Sequence, residues 1–404
     1  MSTIADRLGV PRHRYAARYG IAGLIRATGT GLFYPFSLIY FQRQLGAPLV
    51  QIGTCLTVAG LVGAAGVAQT GGLVDRFGAR DAMVAATLTR AAIFAVYPLV
   101  HYVAVFAVLA TVMTLAYRTD QVAGQALASG LAPPGEIASW LALSRMTLNV
   151  GIGVGAMAGG MLLASSSNGT WLVLANAAAF TIAAGISLTF PDVGERTTGA
   201  AKDGQVWRDH LFIGVAVLNG LWLLVGLAVE VGLPVYLVLY LDMPAALVSV
   251  VVLINTGLVF LLQLPIARVI RDRPVMRAFA VGVGAYAVTF GLLFATQRAV
   301  GAVLIAALIV SVCGFTLGEM VVSVSGMVVV NRLAPPGRVG AYVGVSQLFA
   351  GLGSAVAPIL FTAGLQLSPG ALWLTLAGLG AVMAAVALRL QSPVNARITQ
   401  DQLT

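Results

Sequence analysis

The chain has 404 residues, of which 59% are hydrophobic and 9% charged, and its mean hydropathy is +0.94. A soluble domain carries about 25% charged residues, so a chain this long and this apolar cannot hide its surface in one soluble core and reads as an integral membrane protein. The net charge of +9 would suggest nucleic acid in a soluble protein; here the bases gather between apolar runs, so the expected partner is the lipid bilayer and no nucleic acid.

Arg7, Arg12, Arg14 and Arg18 precede the first apolar run. That run is long, contains Arg26 and lacks a small-residue cleavage site, so it reads as a retained helix rather than a signal peptide. Twelve apolar segments follow one another, each near the ~20 residues that cross a bilayer. The first six lie at about 19–42, 49–71, 82–101, 103–130, 138–164 and 170–190, the second six at about 210–241, 246–270, 275–296, 300–330, 339–365 and 370–390. Cys55 and Cys313 both fall inside apolar runs, so no disulfide framework is implied.

Orientation follows from the bases. With the N-terminus inside, the inner ends and loops hold Arg76, Arg80, Arg196, Lys202, Arg208, Arg268, Arg271, Arg273, Arg277, Arg332, Arg338, Arg389 and Arg397 besides the four N-terminal arginines. The outer loops hold Arg43 and Arg298. Both termini are therefore expected in the cytoplasm. Lys202 is the one lysine, and Ala, Val and Gly abound, a usage that suggests a bacterium and hence its inner membrane.

The longest polar run inside the chain, 191–208, divides an N-terminal six-helix bundle (1–190) from a C-terminal one (209–404). The halves echo each other. Leu131-Ala-Pro-Pro-Gly135 recurs as Leu333-Ala-Pro-Pro-Gly337, and the same offset carries Gly151 onto Gly353 and Ala156 onto Pro358. Near the start of each half, Tyr34-Pro35 resembles Leu233-Pro234, followed by Tyr40 and Tyr240. The expected fold class is an all-α membrane protein, with twelve transmembrane helices in two pseudo-symmetric six-helix halves.

Between the second and third segments stands Gly71-Gly-Leu-Val-Asp75-Arg76-Phe-Gly78-Ala-Arg80. An acid and bases in so tight a turn can form ion pairs that are made in one conformation and broken in another. The stretch resembles the signature of the major facilitator superfamily of secondary transporters, with Ala79 departing where the family has a base. The resemblance makes Gly71, Asp75, Arg76, Gly78 and Arg80 a conformational gate. Arg118-Thr-Asp-Gln121 partly resembles the family's helix 4 motif. In the fifth segment Gly151, Gly155, Gly159 and Gly160 are similar to the glycine motif of the proton-antiporter branch, with Ala156 in place of its proline. Small residues every fourth position also form a flat strip for helix packing.

Charge inside a membrane is costly and faces a cavity or a partner. The acids are Asp120, Glu230 and Glu319, and the bases Arg26, Arg118 and Arg145 accompany them. Asp120 has Arg118 and Arg26 as candidate local partners. Arg26 and Arg145 are read as closing ion pairs or holding an anionic group. Glu319 and Glu230 are candidates for binding a proton or substrate. Tyr34 and Tyr117, with Phe33, Trp222 and Tyr236, are candidates for lining a cavity or for packing. No metal cluster, catalytic triad or nucleotide loop appears, so no cofactor, no metal and no enzyme are expected. The leading expectation is proton-coupled efflux of small amphipathic or drug-like compounds by a monomer, with small-molecule substrate and protons as partners. The alternatives are a metabolite importer or facilitator, and a scaffold or sensor that does not transport.

Overall fold

The computed structural model describes residues 13–66, 73–74, 76–133, 137–165, 169–191, 204–271, 273–335 and 338–401. Among them the chain is helical, in twelve successive segments. Segment α1 joins Ala16–Phe33 to Ser37–Leu45 through a 3-10 turn, Tyr34–Phe36. There follow α2 (Leu49–Ala65), α3 (Ala79–Val96), α4 (Val103–Leu131), α5 (Ile137–Ser165) and α6 (Thr170–Ser187). The second half repeats the plan with α7 (His210–Tyr240), α8 (Ala246–Arg271), α9 (Val275–Ala295), α10 (Gly301–Leu333), α11 (Val339–Leu367) and α12 (Pro369–Asp401). Nine of the described helices reach spanning length and apolarity by themselves.

The chain forms two compact units, one of 1–198 with 237–256, the other of 199–236 with 257–404. In the first, α1 packs on α5 and α6, and α3 on α4 and α6. In the second, α7 packs on α11, and α9 on α10 and α12. The pairs α1·α5, α3·α4 and α3·α6 thus recur six helices later, which is the pseudo-symmetry of the fold.

Glycine sets the closest of these contacts. On α5, a Cβ at Gly151 would stand 2.8 Å from the Leu24 carbonyl oxygen, and one at Gly155 or Gly159 would overlap the carbonyl oxygens of Thr28 or Leu32. Three glycines four residues apart therefore lie against three backbone carbonyls four residues apart on α1. In the second unit, Gly353 of α11 meets the carbonyl oxygen of Gly220 on α7 in the same way. Gly160 faces Ser249, whose hydroxyl donates to the Ala156 carbonyl at 2.7 Å. The glycine strip is thus a packing surface, and the position where the resembled motif has proline supplies an interhelical acceptor.

Two spans break at proline. Pro35 stands at the 3-10 turn of α1. In α7, Pro234 has no N–H to give the Glu230 carbonyl, and the Leu233 N–H reaches back five residues to the Ala228 carbonyl instead. The result is a π-helical turn over Ala228–Gly232 with Glu230 at its centre.

The last helix runs on to Asp401, eleven residues past the end expected from hydropathy. Polar and buried contacts hold the extension: Val394 is fully buried, and the Gln391 side chain accepts the Arg277 N–H at 2.8 Å. That N–H belongs to the first turn of α9, which has no intrahelical acceptor for it.

Overpacking a close contact typically costs 1–3 kcal/mol and occasionally more. Gly155→Val is therefore expected to lower the thermal midpoint of purified protein by several degrees or to abolish monodisperse expression. Gly185→Ala, with nothing within 4 Å of the added Cβ, is expected to match the parent. Size-exclusion profiles and melting curves of the two variants check this.

Candidate functional site

Unit 1 holds a charged cluster inside its spans. The Asp120 carboxylate accepts from Arg26 Nη1 at 2.8 Å through Oδ1 and from Arg90 Nη1 at 2.9 Å through Oδ2. The Thr87 hydroxyl adds a 3.3 Å bond to Oδ1. The guanidinium carbon of Arg90 sits 4.1 Å from the Phe180 ring centroid and 5.3 Å from that of Tyr117. Aromatic faces so placed attract a cation, and they let a buried arginine stay charged. Among the described residues, Arg118 is not a partner of Asp120 although it is two residues away. A helix turns those positions to different faces, and its Cγ lies instead 4.0 Å from the Cβ position of Gly63 on α2. Arg90 was not among the candidates drawn from sequence. Its signal was an arginine in mid-segment, and only packing could show which acid it meets.

Unit 2 holds the acids. Glu319 of α10 is half-buried and Glu230 of α7 is exposed at its π turn. They lie within electrostatic reach of each other, and Tyr286 of α9 feels both. The Tyr286 hydroxyl accepts from Trp222 Nε1 at 3.0 Å, and its ring stacks on Phe315 at 4.6 Å. The candidates from α7, α9 and α10 thus converge. The aromatic candidates divide. Tyr34 and Tyr117 are open to 40% and 39%, whereas Phe33 and Tyr236 are buried and pack. Phe33 meets Phe94 edge to face, and Tyr236 meets Trp373 likewise.

Of the gate residues, Gly71 and Asp75 lie outside the described residues, as does the side chain of Arg145. Gly78 precedes α3 with φ 83, a left-handed conformation that glycine adopts without strain. Arg76 is exposed, with its guanidinium 5.3 Å from the Phe77 ring. Arg80 donates from Nε to Asp81 at 2.7 Å and from Nη1 to the Phe190 carbonyl at 3.3 Å, so it ties α3 to the end of α6.

A second polar cluster joins four helix ends of unit 2. Asp209 caps α7 by accepting the Phe212 N–H at 3.1 Å. Its other oxygen accepts from the Tyr342 hydroxyl at 2.8 Å and from Arg397 at 2.6 Å, while Arg397 also donates to the Leu333 carbonyl at 3.2 Å. Burial works against the Asp209 carboxylate, but the Phe212 N–H, Tyr342 and Arg397 together hold its pKa below the usual carboxylate range.

Twelve largely apolar helical segments in two units of repeated plan make a membrane protein with an internal pseudo-symmetry, and known proteins share this architecture. The model of the Major Facilitator Superfamily matches residues 19–358. The chain belongs to that family. It is similar to Multidrug resistance protein MdtH of Yersinia enterocolitica, at 27% identity with 82% of each chain covered. Among solved structures it resembles a mutant of the peptide transporter POT, with TM-score 0.80, 14% identity and 98% and 100% of the two chains covered. It also resembles a mutant of the nucleoside transporter NupG, with TM-score 0.78, 14% identity and 93% and 99% covered. The protein is thus a multi-pass transporter of small molecules, not an enzyme.

Two outcomes follow from the clusters. Asp120→Asn leaves two guanidinium groups without their carboxylate, and breaking a buried pair costs about 3–5 kcal/mol; a melting midpoint well below that of the parent is expected. Asp209→Asn keeps a competent cap but loses the ion pair, so a smaller loss is expected. A depressed folded-state pKa stabilises above the unfolded value, about 3.9, and the gain disappears as pH falls through the folded value. The gap between parent and Asn variant is therefore expected to stay constant from neutral pH to about pH 4 and to close below it, as melting curves across pH will check.

Proposed function

We propose that the protein exports small amphipathic or drug-like compounds in exchange for protons, by alternating access. It acts as a monomer in a bacterial inner membrane with both termini in the cytoplasm, and the 191–208 segment links its six-helix halves, 1–190 and 209–404. Its partners are the substrate, protons and the bilayer, without nucleic acid. The likeness to a multidrug resistance protein supports efflux. The observation that carries the coupling is the acid pair. Two carboxylates within electrostatic reach of each other, inside spans α7 and α10, repel when both are charged. A proton on one of them removes that repulsion. A cationic group that enters in its place does the same, so the two compete for one site.

Glu230 suits this role through its backbone. Its turn is the irregular π segment imposed by Pro234, and π-bulges occur frequently at functional sites. Glu230 stands at the surface of its span and Glu319 is half-buried, and each feels the charge of the other. The gate from Gly71 to Arg80, including Asp75 and Arg76, belongs to this reading as the element that closes one face of the transporter.

Inverted vesicles with an imposed pH gradient, offered a panel of toxic compounds, test the direction and the coupling. Glu319→Gln and Glu230→Gln keep shape but cannot titrate. Each is expected to lose gradient-driven transport by tenfold or more, about 1.4 kcal/mol, while downhill exchange of substrate persists. Proton flux with substrate at the parental ratio in both variants would remove the acids from the mechanism. Uptake that runs with the gradient only into the cell would make the protein an importer.

A further inference from the structure

The cluster around Asp120 does not balance its charge. Two guanidinium groups meet one carboxylate, and both carboxylate oxygens are engaged. Arg118 on the same span adds a further positive charge, and its Nε is buried without a partner, as is that of Arg90. The described acid outside this cluster in the spans of unit 1 is Asp81, at the first turn of α3, where it pairs with Arg80. An excess positive charge inside hydrocarbon is unfavourable unless a counter-charge reaches it.

The three members differ in access. The side chains of Asp120 and Arg90 are 4% and 7% exposed, whereas that of Arg26 is 22% exposed. Arg90 is also covered by Phe180 and Tyr117. The excess charge is therefore reachable at Arg26, which spends one N–H on Asp120 and has a planar fork whose remaining donors match a carboxylate. Tyr117 lies against the same cluster with 39% of its surface open, and its ring offers a stacking face beside the charge.

We infer that unit 1 carries a binding site for small aromatic organic acids, with Arg26 taking the carboxylate and Tyr117 the ring. The inference rests on the transport reading above for its purpose and adds to it, because the site in unit 1 would take cargo with an acidic group beside the cationic groups that the acids of unit 2 would admit. Asp120 and Arg90 act as positioning residues: they hold the guanidinium of Arg26 in place and keep the cluster cationic.

Purified full-length protein in detergent, without any gradient, tests the site by thermal stabilisation and equilibrium dialysis. The probes are phenylacetate, 1-naphthoate and salicylate, with phenethylamine and phenylacetamide as cationic and neutral counterparts. The carboxylates are expected to bind and raise the midpoint, and the amine and amide to bind at least tenfold more weakly. Arg26→Gln is expected to weaken carboxylate binding by about 10- to 100-fold, the range for losing a hydrogen bond to a charged group. Arg26→Lys keeps the charge without the fork and is expected to fall between. Should Arg26→Gln fail to fold, the lysine variant and the ligand ranking on the parent still decide. Binding of no carboxylate, preference for the amine, or carboxylate binding unchanged in Arg26→Lys and Arg26→Gln would each overturn the site. So would equal, Arg26-dependent stabilisation by chloride at constant ionic strength, which would make it an inorganic-anion site. Because no proton gradient enters, carboxylates that bind but are not exported would defeat the efflux reading alone. Export of cations by a protein that binds no carboxylate would defeat only the present one.

Discussion

Hydrocarbon offers nothing to hydrogen-bond, so every backbone amide in a span must find its partner within the protein. That constraint explains why the described spans are helical, and it also explains where they deviate. At Pro234 an amide hydrogen is missing and one carbonyl loses its helical donor. The chain responds by widening the turn, so that the Leu233 N–H bonds the Ala228 carbonyl. The deviation falls at Glu230.

Within hydrocarbon there is also little hydrophobic force between helices, so close packing has to supply the attraction. The α1·α5 contact shows how. Gly151, Gly155 and Gly159 let the α1 carbonyls approach to distances that any Cβ would block. Gly353 and Gly220 repeat the device in α11 and α7. Four-residue spacing places such glycines on one helix face, so the feature was readable as a pattern. The helix it would meet was not, because a glycine strip carries no mark of its partner.

Charge follows the same economy in both units but with opposite sign. Unit 1 brings arginines around Asp120, and unit 2 brings Glu230 and Glu319 together beside Tyr286. Neither group is a simple neutral pair, which is what a purely structural bridge would favour. The cluster at Asp209 differs in kind. There an acid, an arginine and a tyrosine tie the ends of α7, α10, α11 and α12 at a helix cap.

Hydropathy alone determined the number of spans and most of their limits, because segment length against bilayer thickness is a one-dimensional property. Internal repetition determined the two halves, and the Gly71–Arg80 signature the family. Sequence also singled out Asp120, Glu230, Glu319 and Arg26, since an ionisable residue in an apolar run is conspicuous wherever it lies. Tertiary structure decided their partners. Asp120 took Arg90 from thirty residues upstream and not Arg118 from two, because helical geometry turns near neighbours apart and packing brings distant faces together. It decided that Tyr117 is open while Tyr236 is buried, since an aromatic ring suits either place. It also extended α12 to Asp401, where Val394 is buried and Gln391 and Arg397 find partners far away in the chain. Hydropathy could not see that extension, because its stabilising contacts are polar and lie far away in the chain.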